Sequence, residues 1–147
     1  MDLKNLELIK RSPDLKLEAR KVLIIEDDVE IVAVFNKILR SIDPRFYSDW
    51  VTSAEQAVGL LEAAARTKNL HPYDLILADV FLDGARTGLD VWRLCKEFFP
   101  TVPLVVTSAF PFSTYFEELG KETLRPPFLQ KPFVLTDCRE MLEGYLR

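Results

Sequence analysis

The chain has 147 residues, enough for one domain with a sizeable core and too few for two ordinary domains. Hydrophobic residues make up 48% and charged residues 29%, a composition typical of a globular domain. The net charge of -4 and the scattered lysines and arginines argue against direct DNA binding through a broad basic face.

The cysteines and the N-terminus bear on cellular location. Cys95 and Cys138 are the only cysteines and have no CxxC or histidine neighbour, so we expect buried free thiols in a reducing compartment. The first residues lack the apolar run of a signal peptide, and the longest uncharged apolar stretches are only as long as strands. We therefore expect a cytoplasmic protein with no membrane segment.

Short apolar runs alternate with helical patterns along the chain. The run Val22-Leu-Ile-Ile25 predicts a buried strand, and apolar positions at helical spacing follow it until Asp43-Pro44. Further strands are predicted at residues 46–51, 74–78, 102–107 and 128–130, and further helices after residue 53, at 89–99, within 112–119 and at 135–145. Five βα units predict an α/β fold, a three-layer sandwich around a parallel five-stranded sheet.

Charged and hydroxyl side chains follow four of these strands. The first strand ends in Glu26-Asp27-Asp28, the third in Asp79 and the fourth in Thr107-Ser108, and the fifth leads into Lys131. Ligands of open parallel sheets bind beyond the carboxyl ends of the strands. Clustered carboxylates need a cation, and oxygen-rich acidic sites suit Mg²⁺. A carboxylate can also be the nucleophile in phosphoryl transfer, with a lysine to offset the charge. Each element alone could be a helix cap or a turn residue; the combination is specific.

These segments resemble the receiver domains of two-component response regulators. The resemblance covers residues 21–147 and rests on the segments KVLIIEDD (21–28), DLILAD (74–79), PLVVTSA (103–109) and FLQKPF (128–133). It implies a flavodoxin-like receiver fold, a (βα)5 sandwich with strand order 2-1-3-4-5. Residues 1–20 would be an N-terminal extension, whose structure and role the sequence leaves open.

The resemblance also implies a role for each site residue. Asp79 would be the phosphoacceptor, and Glu26, Asp27, Asp79 and the backbone carbonyl of Phe81 would surround Mg²⁺, with Asp27 a direct ligand. Lys131 would pair with the phosphoryl group, Ser108 would be the switch hydroxyl, and Phe128 would be the aromatic switch. The family pattern also marks Lys131-Pro132 as a candidate cis peptide bond.

The chain departs from the family pattern after Asp79. Asp83 stands where a proline is usual and Gly88 arrives one residue late, so we expect a longer loop. Phe81 and Phe110, each two residues beyond a site residue, flank the expected path of the attacking water. We hypothesise that their rings shield the acyl phosphate and slow its hydrolysis; the alternative is that one or both pack into the core or a partner.

A second aromatic group lies in the segment before the fifth strand. Phe112, Tyr115 and Phe116 cannot easily all face inward on one short helix, so an exposed apolar patch is predicted there. The family uses the face between its fourth and fifth helices for homodimers and for targets. Ordinary core packing is the alternative.

Three functions compete at this point. The first is a phosphorylated receiver, which catalyses only its own phosphorylation and dephosphorylation. It would take a phosphoryl group from a sensor histidine kinase or phosphotransfer protein and signal to a downstream protein target, since no output domain is evident. The second is a pseudo-receiver, an interaction module that works without phosphorylation; the complete set of site residues argues against it. The third is a phosphatase-like hydrolase, whose pattern needs an aspartate at position 81, where this chain has Phe81.

Overall fold

The computed structural model of the protein describes residues 20–82, 84–111, 113, 117, 119–120 and 124–146. Some predictions fall outside these residues. They concern the N-terminal extension up to residue 19, Asp83 in the turn after Asp79, most of the helix within 112–119, and the aromatic residues Phe112, Tyr115 and Phe116. They stay predictions.

Five strands and four helices alternate along the described residues. The strands are β1 (Arg20–Ile25), β2 (Phe46–Val51), β3 (Leu75–Asp79), β4 (Leu104–Ser108) and β5 (Phe128–Gln130). The helices are α1 (Val29–Ile42), α2 (Ala54–Arg66), α3 (Gly88–Phe98) and α4 (Leu135–Leu146). Two strands differ from their predicted positions. β1 starts two residues early, at Arg20, which was assigned to the N-terminal extension, and β4 starts two residues late and reaches Ser108. The N–H of Val102 is bonded to the carbonyl of Phe99, and Pro103 has no N–H for the sheet.

The strands form one parallel sheet of order β2-β1-β3-β4-β5, which confirms the predicted fold and strand order. Every residue of β3 and β4 is buried, because helices cover both faces of the central strands. β2 lies at an edge and is partly exposed. The third and fourth strands therefore deliver their last residues to the middle of the carboxyl edge.

Alternating side chains of the sheet divide between two apolar layers. Leu23, Ile76 and Val106 pack with α2 and α3 on one face. Val22, Leu77 and Val105 pack with α1 and α4 on the other. This burial fixes the register of each strand, because a slip by one residue would exchange the two faces. The residues at the strand ends are thereby held in fixed positions.

The two cysteines are buried in these layers. Cys95 lies in α3 and Cys138 in α4, and both are free thiols, as the sequence predicted. Within the described residues, the longest apolar helical stretch falls short of what is needed to cross a membrane.

Candidate functional site

Lys131 joins two acidic side chains at the carboxyl edge of the sheet. Its Nζ donates hydrogen bonds to Oε2 of Glu26 at 2.6 Å and to Oδ2 of Asp79 at 2.9 Å. Asp27 completes the cluster, since one carboxylate oxygen from each of the three acids lies within 4.8 Å of the others. The fold thus brings together four predicted site residues that follow three different strands.

Burial sets the electrostatics of this cluster. Glu26 and Asp79 are buried, whereas Asp27 is exposed. Burial raises the pKa of Glu26 to about 7; the hydrogen bond from Lys131 opposes this rise, and the charge of Asp79 adds to it. Burial by itself lowers the pKa of Lys131, but its hydrogen bonds to Glu26 and Asp79 outweigh that effect and raise it. One ammonium group faces three carboxyl groups, so the site favours a further cation.

The donor atoms of the cluster fit Mg²⁺. All three side chains offer carboxylate oxygens, which this ion prefers, and it commonly keeps waters beside one or two carboxylates. Oε1 of Glu26 accepts from the N–H of Asp28 at 3.2 Å, and its Oε2 accepts from Lys131. Because both oxygens of Glu26 are engaged while Asp27 faces solvent, the arrangement favours Asp27 as the direct ligand.

The end of β3 is tied closely to the loop that follows it. The N–H of Phe81 donates to Oδ1 of Asp79 at 3.1 Å, and the N–H of Gly88 donates to the carbonyl of Val80 at 3.2 Å. Gly88 lies so close to the main chain of Asp79 that a Cβ atom there would overlap its carbonyl oxygen. The backbone at Asp79 is therefore held by the start of α3 as well as by the sheet.

Ser108 and Phe128 lie on the same face of the sheet. Val106 pairs with Phe128 in the register of β4 and β5, and both pack in the layer of α2 and α3. Ser108 is two residues beyond Val106, so its side chain projects to that face too. Ser108 is fully buried and Phe128 is half-buried. After β5, the Lys131–Pro132 peptide bond is cis, as predicted. This placement is compatible with the predicted pairing of a hydroxyl and an aromatic switch.

Two residues near the site were not singled out from the sequence. Trp50, at the end of β2, donates its indole N–H to the carbonyl of Glu26 at 2.6 Å. Glu55, at the start of α2, accepts from the N–H of Arg86 at 3.0 Å and lies against Gly84, whose φ is 111°. Both contacts join the site to a neighbouring element. Neither residue belongs to a local motif, so no sequence pattern indicated these contacts.

The fold and the site together define a parallel α/β domain with an acidic cluster and Lys131 at the carboxyl edge of its sheet. The family model of the response regulator receiver domain matches residues 22–143. The chain therefore belongs to the response regulator receiver family, as its sequence segments indicated.

Solved structures agree with this membership. The chain superposes on a response regulator receiver protein from Sinorhizobium medicae WSM419 with a TM-score of 0.69 and 22% identity, covering 88% of this chain and 96% of that one. A sensor protein from Polaromonas sp. JS666 gives 0.66 and 27%, covering 88% and 97%. A CheY-like response regulator receiver domain protein from Methanospirillum hungatei JF-1 gives 0.65 and 16%, covering 88% and 94%. These likenesses extend over nearly the whole of each relative.

Proposed function

We propose that this chain is a phosphorylation-dependent signalling receiver that accepts a phosphoryl group on Asp79 from a histidine kinase or phosphotransfer protein. The observation that carries the proposal is the pair of hydrogen bonds from Lys131 to Glu26 and Asp79. A half-buried lysine between two buried carboxyl groups is unfavourable in a purely structural site, because desolvation costs roughly several kcal/mol per ion. It is useful where a new negative charge must be stabilised.

The residues divide the phosphoryl-transfer step between them. A carboxylate oxygen of Asp79 attacks phosphorus, the bond from phosphorus to the donor's histidine nitrogen breaks, and its electron pair stays on the imidazole. The ammonium group of Lys131 offsets the charge of the transferred group, and the hydroxyl of Ser108 donates to one of its oxygens. Asp27, Asp79 and the carbonyl of Phe81 would hold Mg²⁺ with Glu26 beside them. The bound ion would neutralise charge on the carboxylates and the phosphoryl oxygens.

The signal then leaves through another protein. Phosphorylation would draw Ser108 toward the phosphoryl group, and the inward space it vacates lies on the face that Phe128 shares. A downstream target or a second copy of the chain, docked on the face between 112–119 and α4, would sense the change. We place this relay in the cytoplasm, where the free thiols of Cys95 and Cys138 stay reduced.

Treatment with acetyl phosphate and Mg²⁺ tests the proposal. We expect mass spectrometry to show the gain of one phosphoryl group, its loss in Asp79→Asn, and its absence when EDTA removes the metal. Asp74→Asn is a matched control, because Asp74 directly precedes β3, at the end of the strand opposite to Asp79. Its side chain accepts a hydrogen bond from the N–H of Lys21, which asparagine can also accept. It should be phosphorylated like the wild type.

The pseudo-receiver is the competing outcome of the same experiment. If neither acetyl phosphate nor beryllofluoride with Mg²⁺ modifies or binds the wild-type protein, phosphorylation is excluded and a constitutive interaction module is the better description. Modification that persists in Asp79→Asn would instead show that another residue is the acceptor.

A further inference from the structure

Trp50 is an aromatic residue at the carboxyl end of an edge strand, and 43% of it is exposed. Its one polar atom is nonetheless used, because Nε1 donates to the carbonyl oxygen of Glu26 at 2.6 Å. The indole therefore reaches from β2 to the residue that follows β1. This contact is made to the backbone of the acidic segment, which makes Trp50 part of the surroundings of the proposed metal site.

The carbonyl of Glu26 lies beyond the regular pairing of β1, which ends at Ile25. The N–H of Glu26 is still bonded to the carbonyl of Val51 at 3.0 Å. The carbonyl of Glu26 belongs to the same planar peptide unit as the N–H of Asp27. A hydrogen bond to that carbonyl therefore fixes the direction in which the chain enters Asp27, and so the position from which the Asp27 carboxylate reaches the cluster.

Glu26 is held at four polar positions by residues from three parts of the chain. Val51 binds its N–H, Trp50 its carbonyl, Asp28 its Oε1 and Lys131 its Oε2. Of these, only the contact of Trp50 acts on the peptide unit shared with Asp27. Carboxylates that surround one cation repel one another. Hydrogen bonds to the segment that carries them therefore help to keep them in position.

We propose that Trp50 is a positioning residue for the metal site: its indole N–H fixes the Glu26–Asp27 peptide unit and thereby places the carboxylate of Asp27 for a divalent cation. This inference rests on the proposed function, since it assigns a role toward the Mg²⁺ of that same site. By this inference β2 supports the segment Glu26-Asp27, although none of the three acids of the cluster lies in β2.

Titration with Mn²⁺, followed by the electron paramagnetic resonance signal of the free ion, tests this without measuring phosphorylation. Trp50→Phe keeps an aromatic ring but removes the donor, so we expect the Kd for Mn²⁺ to rise about two- to tenfold, as for the loss of one net hydrogen bond. Tyr47→Phe is the matched control. It removes a polar group from a residue of the same strand that is 42% exposed, at the end away from the site, and should leave the Kd unchanged.

A second substitution separates positioning from packing. Replacing Trp50 by β-(3-benzothienyl)alanine keeps the shape of the indole and exchanges only the N–H for sulfur, so it should weaken Mn²⁺ binding while urea unfolding in EDTA shows a folded protein. Unchanged Mn²⁺ affinity in both folded variants would overturn the role of Trp50. If the wild type itself bound no Mn²⁺ and accepted no phosphoryl group, the proposed function would fail instead.

Discussion

The rings of Phe81 and Phe110 pack edge to face beside the proposed acceptor, with their centroids 4.6 Å apart and their planes inclined by 63°. Each is anchored to a different site residue, because the N–H of Phe81 donates to Asp79 and the N–H of Phe110 to Oγ of Ser108. Phe110 is 50% exposed, so its ring is not a core side chain. Phe81 is half-buried and packs against the apolar layer of α2 and α3, so the alternative holds for this ring. The shielding hypothesis therefore rests on the exposed ring of Phe110 and its contact with Phe81.

We expect the double substitution Phe81→Asn, Phe110→Glu to shorten the half-life of the phosphorylated protein. Removing both rings opens the acyl phosphate to water, and about a tenfold faster hydrolysis would correspond to about 1.4 kcal/mol of barrier. The decay can be followed by mass spectrometry after the phosphodonor is removed. Phe98→Asn replaces a phenylalanine that is also exposed but lies at the end of α3, and it should not change the half-life. A half-life unchanged in the double variant would refute the shield.

Gly88→Ala should disturb the end of β3. The new methyl group would overlap the carbonyl oxygen of Asp79, so the start of α3 or the end of β3 must move. We expect a loss of about 1–3 kcal/mol in the free energy of unfolding, measured with urea, together with slower phosphorylation.

Gly59→Ala is the same chemical change but should raise the free energy of unfolding. Gly59 lies inside α2, and a Cβ atom there would meet nothing within 4 Å. Alanine is the better helix former, so the protein should gain about 0.5–1 kcal/mol. If Gly88→Ala were as stable as Gly59→Ala, the predicted steric overlap at Gly88 would be refuted.

The ionisation of Asp43 should make the stability of the fold depend on pH in the acid range. It follows α1, and the hydrogen bonds from Arg45, with help from Arg20, hold its pKa well below the ordinary value. A carboxyl group with a lowered pKa stabilises the fold above its unfolded pKa of about 4, and this stabilisation is lost as the pH falls through the folded pKa. Asp43→Asn should therefore be less stable than the wild type at pH 7.

Urea unfolding at a series of pH values measures this effect. The difference between the wild type and Asp43→Asn should shrink as the pH is lowered below about 4. Arg45→Gln, which removes the main partner, should weaken the same dependence. A difference that is constant with pH would mean that Asp43 acts through geometry at the end of α1 and not through its charge.

The thiols should be unreactive in the native protein. Burial raises the pKa of Cys95 to about 12 and that of Cys138 to about 11, so very little of either thiol is ionised at pH 8. The thiolate is the reacting species, so we expect an aromatic disulfide reagent to label neither cysteine until urea unfolds the chain. Rapid labelling of one equivalent under native conditions would show that the layer of α3 or α4 opens.

Much of the fold could be predicted from local sequence patterns. Residues 22–25 of β1 and 75–78 of β3 are all apolar and buried. Asp28 and Ser53 precede α1 and α2, and their side chains accept from the N–H groups of Glu30 and Gln56. Such signals depend on neighbours in the sequence, and so the elements and their order could be predicted. The start of β4 was misplaced because the apolar residue Val102 resembles a strand residue, although its N–H is bonded in a turn.

The sequence by itself determined which residues end the strands of a parallel sheet, and therefore that Glu26, Asp27, Asp79, Ser108 and Lys131 lie along one edge. Only the tertiary structure decided which atoms meet there. Lys131 and Glu26 are 105 residues apart, and Trp50 reaches Glu26 from a neighbouring strand. Contacts of this kind depend on strand register and loop shape, which are fixed when the two apolar layers pack against the sheet, and no local pattern encodes them.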